Sequence, residues 1–253
     1  MLNIYITSKG RADVCKTALA IGKHKNTFIV VEPQELQTYK NTMPDFNYLV
    51  LDANNMGLAY ARNYIKKHSE QNNEDNYWVL DDDISNFYYR VGTKLIKEDP
   101  LTCLQQAQDV FIQNNIALGG MEYRQYAWSA SKPLVLNTFC DCVVWVDNNK
   151  TKGVYYNENL RLKIDRDFCI KVIKAEQKTA RTTMHAFSSP PNGSNKGGLK
   201  EIAYDVANLE KEECIKMVNL WGENICTHIV KKDGRNDLKI HWKNILSKQQ
   251  SLF

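Results

Sequence analysis

The stretch Tyr77-Trp78-Val79-Leu80-Asp81-Asp82-Asp83 sets three acidic residues directly after four apolar ones. A short apolar run with aromatic and β-branched members is typical of a buried strand, so we predict a strand over residues 77–80. In an extended segment, alternation lets Asp81 and Asp83 point the same way while Asp82 points elsewhere. Because adjacent carboxylates repel one another unless they are shielded, the triplet is either a solvated acidic turn or part of an oxygen-rich site.

Three further strands are predicted upstream, and each is followed by a helical pattern. We expect strands at residues 2–7, 27–31 and 48–51, and helices at residues 12–21, from Pro33 onward and at residues 56–68. This alternation favours a parallel sheet with right-handed crossovers. The loops after the four strands then open on the carboxyl edge of the sheet, where open α/β folds bind ligands. Glu32, Asp52 and the three aspartates are predicted to lie there.

The second half of the sequence has a more mixed pattern. We expect helices at residues 99–114 and 165–175, and strands at residues 123–129, 133–146 and 178–187. Residues 188–198 are rich in Gly, Pro, Ser and Asn, which predicts a loop. Residues 233–248 form a tail rich in Lys and Arg. The fold class is therefore α/β, with a mainly parallel sheet flanked by helices and a mixed region in the second half.

Composition limits the classes of protein to which the chain can belong. A chain of 253 residues with 43% hydrophobic content can bury a substantial core, and its net charge of +4 permits a polyanionic partner without requiring one. No run approaches the roughly 20 apolar residues of a membrane helix. The seven cysteines are irregularly spaced and indicate reduced thiols in a cytoplasmic enzyme. We expect one domain over residues 1–253, divided functionally into residues 1–90 and 91–253.

Two segments could carry chemistry at the predicted edge. The aspartate triplet offers carboxylate oxygens, which Mg²⁺ and Mn²⁺ prefer together with water and phosphate. Residues 55–63 read Asn-Met-Gly-Leu-Ala-Tyr-Ala-Arg-Asn, with small residues for close packing and Arg62 in the helix beneath the triplet. A guanidinium there could bind phosphate or a metal-binding carboxylate, although an exposed Arg on an ordinary crossover helix is the simpler alternative.

Together these motifs resemble the GT-A glycosyltransferases. The resemblance covers residues 1–90 and, more loosely, residues 155–200. More narrowly, residues 77–84, the loop with Pro190-Pro191 and Gly197-Gly198, and the run Lys239-Ile240-His241-Trp242-Lys243 are similar to the TET-associated glycosyltransferases of bacteriophages. That family implies transfer of a sugar to oxidised pyrimidines, such as 5-hydroxymethylcytosine, in phage DNA, and so protection from host restriction.

The resemblance assigns roles around the donor. It implies that Ser8, Arg11 and Glu32 hold the base and ribose of a nucleotide-sugar, and that Asp81 and Asp83 are the Asp-x-Asp carboxylates at the ribose and the metal-bridged diphosphate. We group Asp82 and Arg62 with the donor-binding residues. Asp83 is the expected ligand of Mn²⁺ or Mg²⁺. His185, a late histidine, is expected to complete the metal shell, although a lone His is more often structural.

The catalytic base is expected at the start of a later helix. The run Lys163-Ile164-Asp165-Arg166-Asp167-Phe168 resembles the Glu-Asp-x-Asp-Phe run of the family, with Ile164 in place of Glu. The base role therefore falls on Asp165, with Asp167 as the rival. Lys196, in the glycine-rich loop, could offset charge on the diphosphate, or the loop could be an ordinary surface segment.

We therefore expect a metal-dependent and inverting transfer from a nucleoside diphosphate sugar, UDP-linked by preference, to a hydroxymethylpyrimidine in double-stranded DNA, with no membrane involved. A single base that activates the acceptor hydroxyl for attack from the face opposite the diphosphate implies inversion at the anomeric carbon. His241, Trp242 and Lys243 would suit such a polyanionic acceptor. Two alternatives remain at this stage: a GT-A enzyme that acts on a glycan, lipid or protein, and a metal-dependent nuclease or nucleic-acid-binding domain.

Overall fold

A computed structural model describes residues 2–190 and 206–247 of the chain. The first half alternates strands and helices. The strands are β1 (Ile4–Thr7), β2 (Thr27–Val31), β3 (Asn47–Val50) and β4 (Asn76–Asp81), and the helices are α1 (Lys16–Ile21), α2 (Leu36–Thr42) and α3 (Leu58–Gln71). The four strands pair in parallel in the order β3-β2-β1-β4. The predicted parallel sheet and its carboxyl edge are confirmed.

The second half completes the sheet with strands of both directions. Its strands are β5 (Asn86–Val91), β6 (Lys94–Glu98), β7 (Leu118–Tyr123), β8 (Leu134–Leu136), β9 (Val143–Asp147) and β10 (Thr179–Ser188). Beyond β4 the order is β9-β7-β10-β5-β6, and β8 also pairs with β10. Because β4 and β7 are both antiparallel to β9, they run in the same direction, and β10 is parallel to β7. The ends of β4, β7 and β10 therefore share one edge.

Helices cover both faces of this sheet. The remaining ones are α4 (Pro100–Gln113), α5 (Arg124–Ala127), α6 (Ile164–Lys174), α7 (Leu209–Trp221) and α8 (Trp242–Ser247). A separate hairpin pairs β11 (Cys226–Val230) with β12 (Asn236–Ile240). Within residues 2–190 and 206–247, no helix is both long and apolar enough to cross a membrane.

Alternate strand residues divide the core into two clusters. Tyr77 and Val79 face the cluster that includes α3 and α6, whereas Trp78 and Leu80 face the cluster that includes α1 and α4. This alternation is the period of two that a strand imposes. A strand buried on both faces has a continuous apolar sequence, which is why the sequence of residues 77–80 predicted a buried strand.

Several predicted elements, most of them in the second half, were wrong or incomplete. The strand predicted at residues 123–129 is the end of β7 followed by the short helix α5. The strand predicted at residues 133–146 is two strands, β8 and β9, separated by a loop in which Asn137 and Cys142 have positive φ angles. The helix predicted from residue 12 begins at Lys16, because residues 8–15 form a loop at the sheet edge. The hairpin of β5 and β6 was not predicted.

Strand β7 has two adjacent glycines where its neighbours leave no room for a side chain. A Cβ atom at Gly119 would lie 2.4 Å from ring atoms of Phe111, and a Cβ at Gly120 would lie 2.9 Å from the Cβ of Cys140. The Phe111 ring packs between Trp78 and Trp145, with ring-centroid distances of 6.0 and 5.6 Å. These contacts explain why glycine occupies the interior of a central strand.

We therefore expect Gly119→Ala to lower the free energy of unfolding by about 1–3 kcal/mol, the range for overpacking a filled core. Chemical denaturation of the variant measures this loss. The double variant Gly119→Ala/Phe111→Leu should recover part of the stability, because Leu leaves space where the ring stood. A Gly119→Ala protein as stable as the wild type would contradict this account of β7.

Candidate active site

The aspartate turn after β4 is held by one threonine at the start of α1. Thr17 Oγ1 donates to the carbonyl oxygen of Asp81 at 2.6 Å and accepts from the backbone N–H of Ile84 at 2.8 Å. The backbone N–H of Thr17 also donates to the carbonyl oxygen of Asp82 at 3.1 Å. Three bonds to one residue fix the backbone of the turn, so its carboxylates are presented in a set arrangement.

The middle aspartate is bound by the loop after β1. Ser8 Oγ donates to Asp82 Oδ2 at 2.5 Å and lies 2.7 Å from the hydroxyl of Tyr39. The guanidinium of Arg11 forms an ion pair with Asp82, and its Nη1 lies 3.4 Å from Asp83 Oδ2. The structure thus brings together Ser8, Arg11, Asp82 and Asp83, all expected at the donor.

Glu32 joins the loops after the first three strands. Its Oε1 accepts from Lys9 Nζ at 2.8 Å and from the backbone N–H of Asn55 at 2.9 Å, and its Oε2 accepts from Gln34 Nε2 at 2.8 Å. Lys9 also donates to Asn55 Oδ1 at 2.6 Å. Glu32 is at the expected edge, but both carboxylate oxygens already serve the protein, so its contact with a ribose would require an exchange of partners.

Arg62 connects two carboxylates from distant parts of the chain. Its Nη2 lies 3.2 Å from Asp81 Oδ1, and its Nη1 lies 2.5 Å from Asp165 Oδ1 at the start of α6. The residue is only 1% exposed, and its Cζ lies 5.6 Å from the centre of the Tyr156 ring. A buried guanidinium is stable only when it is paired, so Arg62 fixes the relative position of the two aspartates.

Asp81, Asp83 and Asp165 form an acidic cluster, whose carboxylate oxygens suit a hard cation. Burial raises the pKa of Asp81 to about 7, and the charges of Asp83 and Asp165 add to the rise against the opposing effect of Arg62. In the part of the chain that the structure describes, no three His, Cys, Asp or Glu side chains are placed to hold a metal together. Mg²⁺, however, usually takes one or two carboxylates and completes its shell with water and substrate phosphates. The donor set at Asp81 and Asp83 fits that mode of binding.

A further carboxylate, Asp141, lies at the same edge and was missed from the sequence. Asp141 precedes β9. Its Oδ2 accepts a hydrogen bond, at 2.9 Å, from the hydroxyl of Tyr123, which is the last residue of β7. Its Oδ1 is buried without a hydrogen-bond partner. Burial raises the pKa of Asp141 to about 6, with a further contribution from the charge of Asp165. Only its place between Cys140 and Cys142 marked it in the sequence, and that pattern indicates no particular site.

The two rival bases have different surroundings. Asp165 is partly exposed and belongs to the acidic cluster through Arg62. Asp167 is fully buried on α6, where its Oδ1 accepts from the indole N–H of Trp221 at 3.0 Å and its Oδ2 lies 2.8 Å from Lys171 Nζ. These contacts give Asp167 a packing role between α6 and α7, and leave Asp165 as the one of the pair at the edge of the sheet.

His185 and Lys196 are not placed at the cluster by the described contacts. The ring nitrogens of His185 lie 3.3 Å from Thr182 Oγ1 and 3.2 Å from Gln106 Oε1, and burial lowers its pKa to about 4. Metal binding by His185 would require one of these contacts to break. Lys196 lies outside the described residues, as does most of the predicted loop at residues 188–198. Trp242 is partly buried and packs against the core.

Comparisons with known proteins agree with this architecture. A sequence model of the family described as "TET-Associated Glycosyltransferase" matches residues 2–191. The crystal structure of S. aureus TarS 1–349 is similar with a TM-score of 0.52 at 14% identity, over 85% of this chain and 65% of that chain. No curated protein matches the chain significantly.

Two other solved structures are more distant. S. aureus TarS 1–349 in complex with UDP has a TM-score of 0.49 at 14% identity, over 87% of this chain and 66% of that chain. A197 from STIV has a TM-score of 0.45 at 13% identity, over 75% and 85% of the two chains. The likeness to TarS 1–349 shows the GT-A type of α/β fold, and this chain spans 65% of the length of that TarS chain.

Proposed function

Because the chain belongs to the TET-associated glycosyltransferase family, over residues 2–191, we propose that it transfers a sugar from a UDP-linked donor to the hydroxyl of a hydroxymethylpyrimidine in DNA. The observation that carries the proposal is the bridge from Asp81 through Arg62 to Asp165. It joins a carboxylate of the expected donor site to the expected base. A site built in this way can bring a donor and an alcohol together at one edge of the sheet.

The donor is proposed to lie along the ends of β1, β2 and β4. Ser8, Arg11 and Asp82 form a bonded group beside the base and ribose positions, and Arg62 supplies positive charge next to Asp81. Lys196, which lies outside the described residues, is proposed to offset charge on the diphosphate. Asp83 would hold a Mg²⁺ or Mn²⁺ ion, which when bound supplies positive charge to the departing diphosphate.

The transfer is proposed to use Asp165 as general base. Arg62 orients the Asp165 carboxylate through Oδ1. The acceptor oxygen forms a bond to the anomeric carbon while the bond from that carbon to the diphosphate breaks, and the electron pair leaves with UDP. The proton of the acceptor hydroxyl passes to Asp165. Attack from the face opposite the diphosphate inverts the anomeric configuration.

The proposed acceptor is supported by the chemistry of the transfer and by the resemblance to the family. Unmodified cytosine and thymine bases have no aliphatic hydroxyl, whereas 5-hydroxymethylcytosine presents a primary alcohol. A sugar on that alcohol would mask bacteriophage DNA from restriction in the host cytoplasm. The net charge of +4 is compatible with a DNA partner. A glycan, lipid or protein acceptor would use the same donor residues and is the alternative that an acceptor test has to exclude.

The donor half of the proposal is tested by thermal unfolding with Mn²⁺ and a panel of UDP, GDP, ADP and CMP. A ligand at 100 times its Kd stabilises a protein by about 2.7 kcal/mol, which for a chain of this size raises Tm by about 5–10 °C. We expect that shift with UDP and a smaller one with the other nucleotides. Equal shifts with all four nucleotides, or none with UDP, would contradict a uridine-linked donor.

A further inference from the structure

An exposed aromatic surface lies beside the acidic cluster. Tyr126, on α5, is 60% exposed, and Trp128, directly after α5, is 54% exposed. The ring of Tyr126 lies 6.4 Å from that of Tyr123, edge to face, and the hydroxyl of Tyr123 donates to Asp141. The ring of Tyr123 thus connects the Asp141 carboxylate to Tyr126, which together with Trp128 forms the exposed surface that we call the α5 platform (Tyr126 and Trp128).

A buried arginine fixes the backbone that carries the α5 platform. The buried guanidinium of Arg90 donates through Nη1 to the carbonyl oxygens of Ala127, at 3.1 Å, and Ala130, at 2.5 Å. The indole N–H of Trp128 donates to the carbonyl oxygen of Gln125 at 3.0 Å. Two large aromatic side chains are thus exposed to solvent on a backbone with a fixed conformation. Binding a ligand there loses less conformational entropy than it would on a flexible loop.

The chain segment that carries the platform has charged residues of one sign. Residues 124–139 include Arg124 and Lys132 and contain no Asp or Glu. Arg124 is exposed, and its Cζ lies 5.1 Å from the centre of the Tyr88 ring. Aromatic faces interspersed with cations match a polynucleotide strand, whose bases stack on the rings while its phosphates meet the cations. A neutral glycan would use the aromatic faces but has no charge to match the cations.

We propose that the α5 platform is the acceptor subsite for a nucleotide strand: Tyr126 and Trp128 stack against unpaired bases, and Arg124 and Lys132 contact the phosphates. This inference rests on the proposed function, because it supplies the acceptor side of the same site. Stacking on the platform would hold an unstacked base, or its neighbour, near Tyr123 and the Asp141 carboxylate that Tyr123 binds. An enzyme that acts on a base within a duplex can gain access in this way.

The test measures binding of a fluorescein-labelled single-stranded oligonucleotide of unmodified cytosines by anisotropy. We expect Tyr126→Ala and Trp128→Ala each to raise Kd by about 5- to 140-fold, which converts a stacking energy of about 1–3 kcal/mol per base at 1.4 kcal/mol per tenfold. Tyr126→Phe and Trp128→Phe keep an aromatic face and should stay within about threefold of wild type. Ile112→Ala is the matched control, because Ile112 is 50% exposed near the end of α4, at the opposite edge of the sheet.

Two further measurements separate stacking from charge. An oligonucleotide with abasic positions should bind the wild type more weakly, whereas the double variant Tyr126→Ala/Trp128→Ala should bind it no more weakly than it binds the intact strand. Arg124→Ala should lower the slope of log Kd against log salt by about 0.7, the value for one phosphate of a single strand, whereas Tyr126→Ala should leave that slope unchanged.

Failure of the inference is distinct from failure of the proposed function. A wild type that does not bind the oligonucleotide at low salt, or alanine variants that bind it as wild type does, would overturn the inference. The inference would also be overturned if the alanine variants lost affinity for a neutral oligosaccharide but bound the oligonucleotide as tightly as the wild type does. The uridine-linked donor is judged separately, by the thermal shift with UDP, to which the platform residues are not expected to contribute.

Discussion

Asp165→Asn should lower kcat by about 10²–10⁴-fold, the usual contribution of a general base, while the affinity for UDP stays at the wild-type value. The amide keeps an oxygen toward Arg62, which holds Asp165 Oδ1 at 2.5 Å, so the local geometry is preserved. What is lost is the group that accepts the proton in the transition state. An interaction made only there affects turnover and not ground-state binding. Steady-state kinetics with a saturating acceptor, together with UDP titration, measures the two quantities separately.

Asp167→Asn is the matched control, two residues away on the same helix. Because Asp167 is buried against Trp221 and Lys171, we expect this change to lower stability by about 1–3 kcal/mol and to change kcat by no more than a few-fold. A larger loss of turnover from Asp167→Asn than from Asp165→Asn would show that the base is wrongly assigned. If neither variant slows turnover, this segment is not catalytic and the inverting mechanism has to be withdrawn.

Removal of divalent metal should lower transfer by about 10³-fold or more, since charge stabilisation by a bound metal is worth several kcal/mol and each 1.36 kcal/mol is tenfold in rate. Asp83→Asn should have a comparable effect, because the amide keeps the shape of the side chain without its charge. Circular dichroism should show a folded variant. Binding of Mn²⁺ in the presence of UDP, followed by its electron paramagnetic resonance signal, should weaken in parallel with activity.

Asp52→Asn is the control for the loss of a carboxylate at the same sheet edge. Asp52 is exposed and accepts a hydrogen bond from the Tyr64 hydroxyl at 3.0 Å, and it has no role in the proposed mechanism. Its substitution should leave both the metal requirement and the rate unchanged. Full transfer in excess chelator would remove the metal from the account, whatever the behaviour of Asp83→Asn.

The parallel half of the fold could be predicted because its signals are local. Residues 77–80 are apolar on both faces, and the strands before them are short and separated by helical patterns. The carboxyl edge then follows from the direction of the strands alone. Ser8, Glu32 and Asp82 lie on that edge because they directly follow β1, β2 and β4, and Arg11 lies there in the loop after β1. Asp81 is the last residue of β4, and Asp83 continues the turn after it.

The second half was less predictable because its strands pair with distant partners. β9 is inserted between β4 and β7, and β10 pairs with β5, β7 and β8, so the environment of each strand depends on contacts that no local pattern encodes. Residues 123–129 have the composition of a strand, but β7 ends at Tyr123, and the buried Arg90 binds the carbonyl oxygens that follow. Tertiary contacts outweigh strand propensity there.

The candidate site shows the same division. The link between Arg62 and Asp165 spans 103 positions in the sequence, and the helix spacing around either residue does not reveal the other. Asp141 was missed for a related reason: its position in the site depends on the end of β7 and the start of β9 meeting at one edge. The resemblance to a family indicated Asp165 before the structure, whereas the partners of Asp141 became visible only once the strands were paired.

The central claim is the transfer of a sugar from a uridine-linked donor to a hydroxymethylated base. The most direct measurement incubates the protein, with Mn²⁺ and candidate UDP-sugars, with two DNA duplexes that differ only in one 5-hydroxymethylcytosine. Digestion to nucleosides and mass spectrometry then detect any sugar on the base. We expect a mass increase of one sugar residue on 5-hydroxymethylcytosine and none on cytosine. Equal modification of both duplexes, or no modification by any UDP-sugar from a protein that binds UDP, would contradict it.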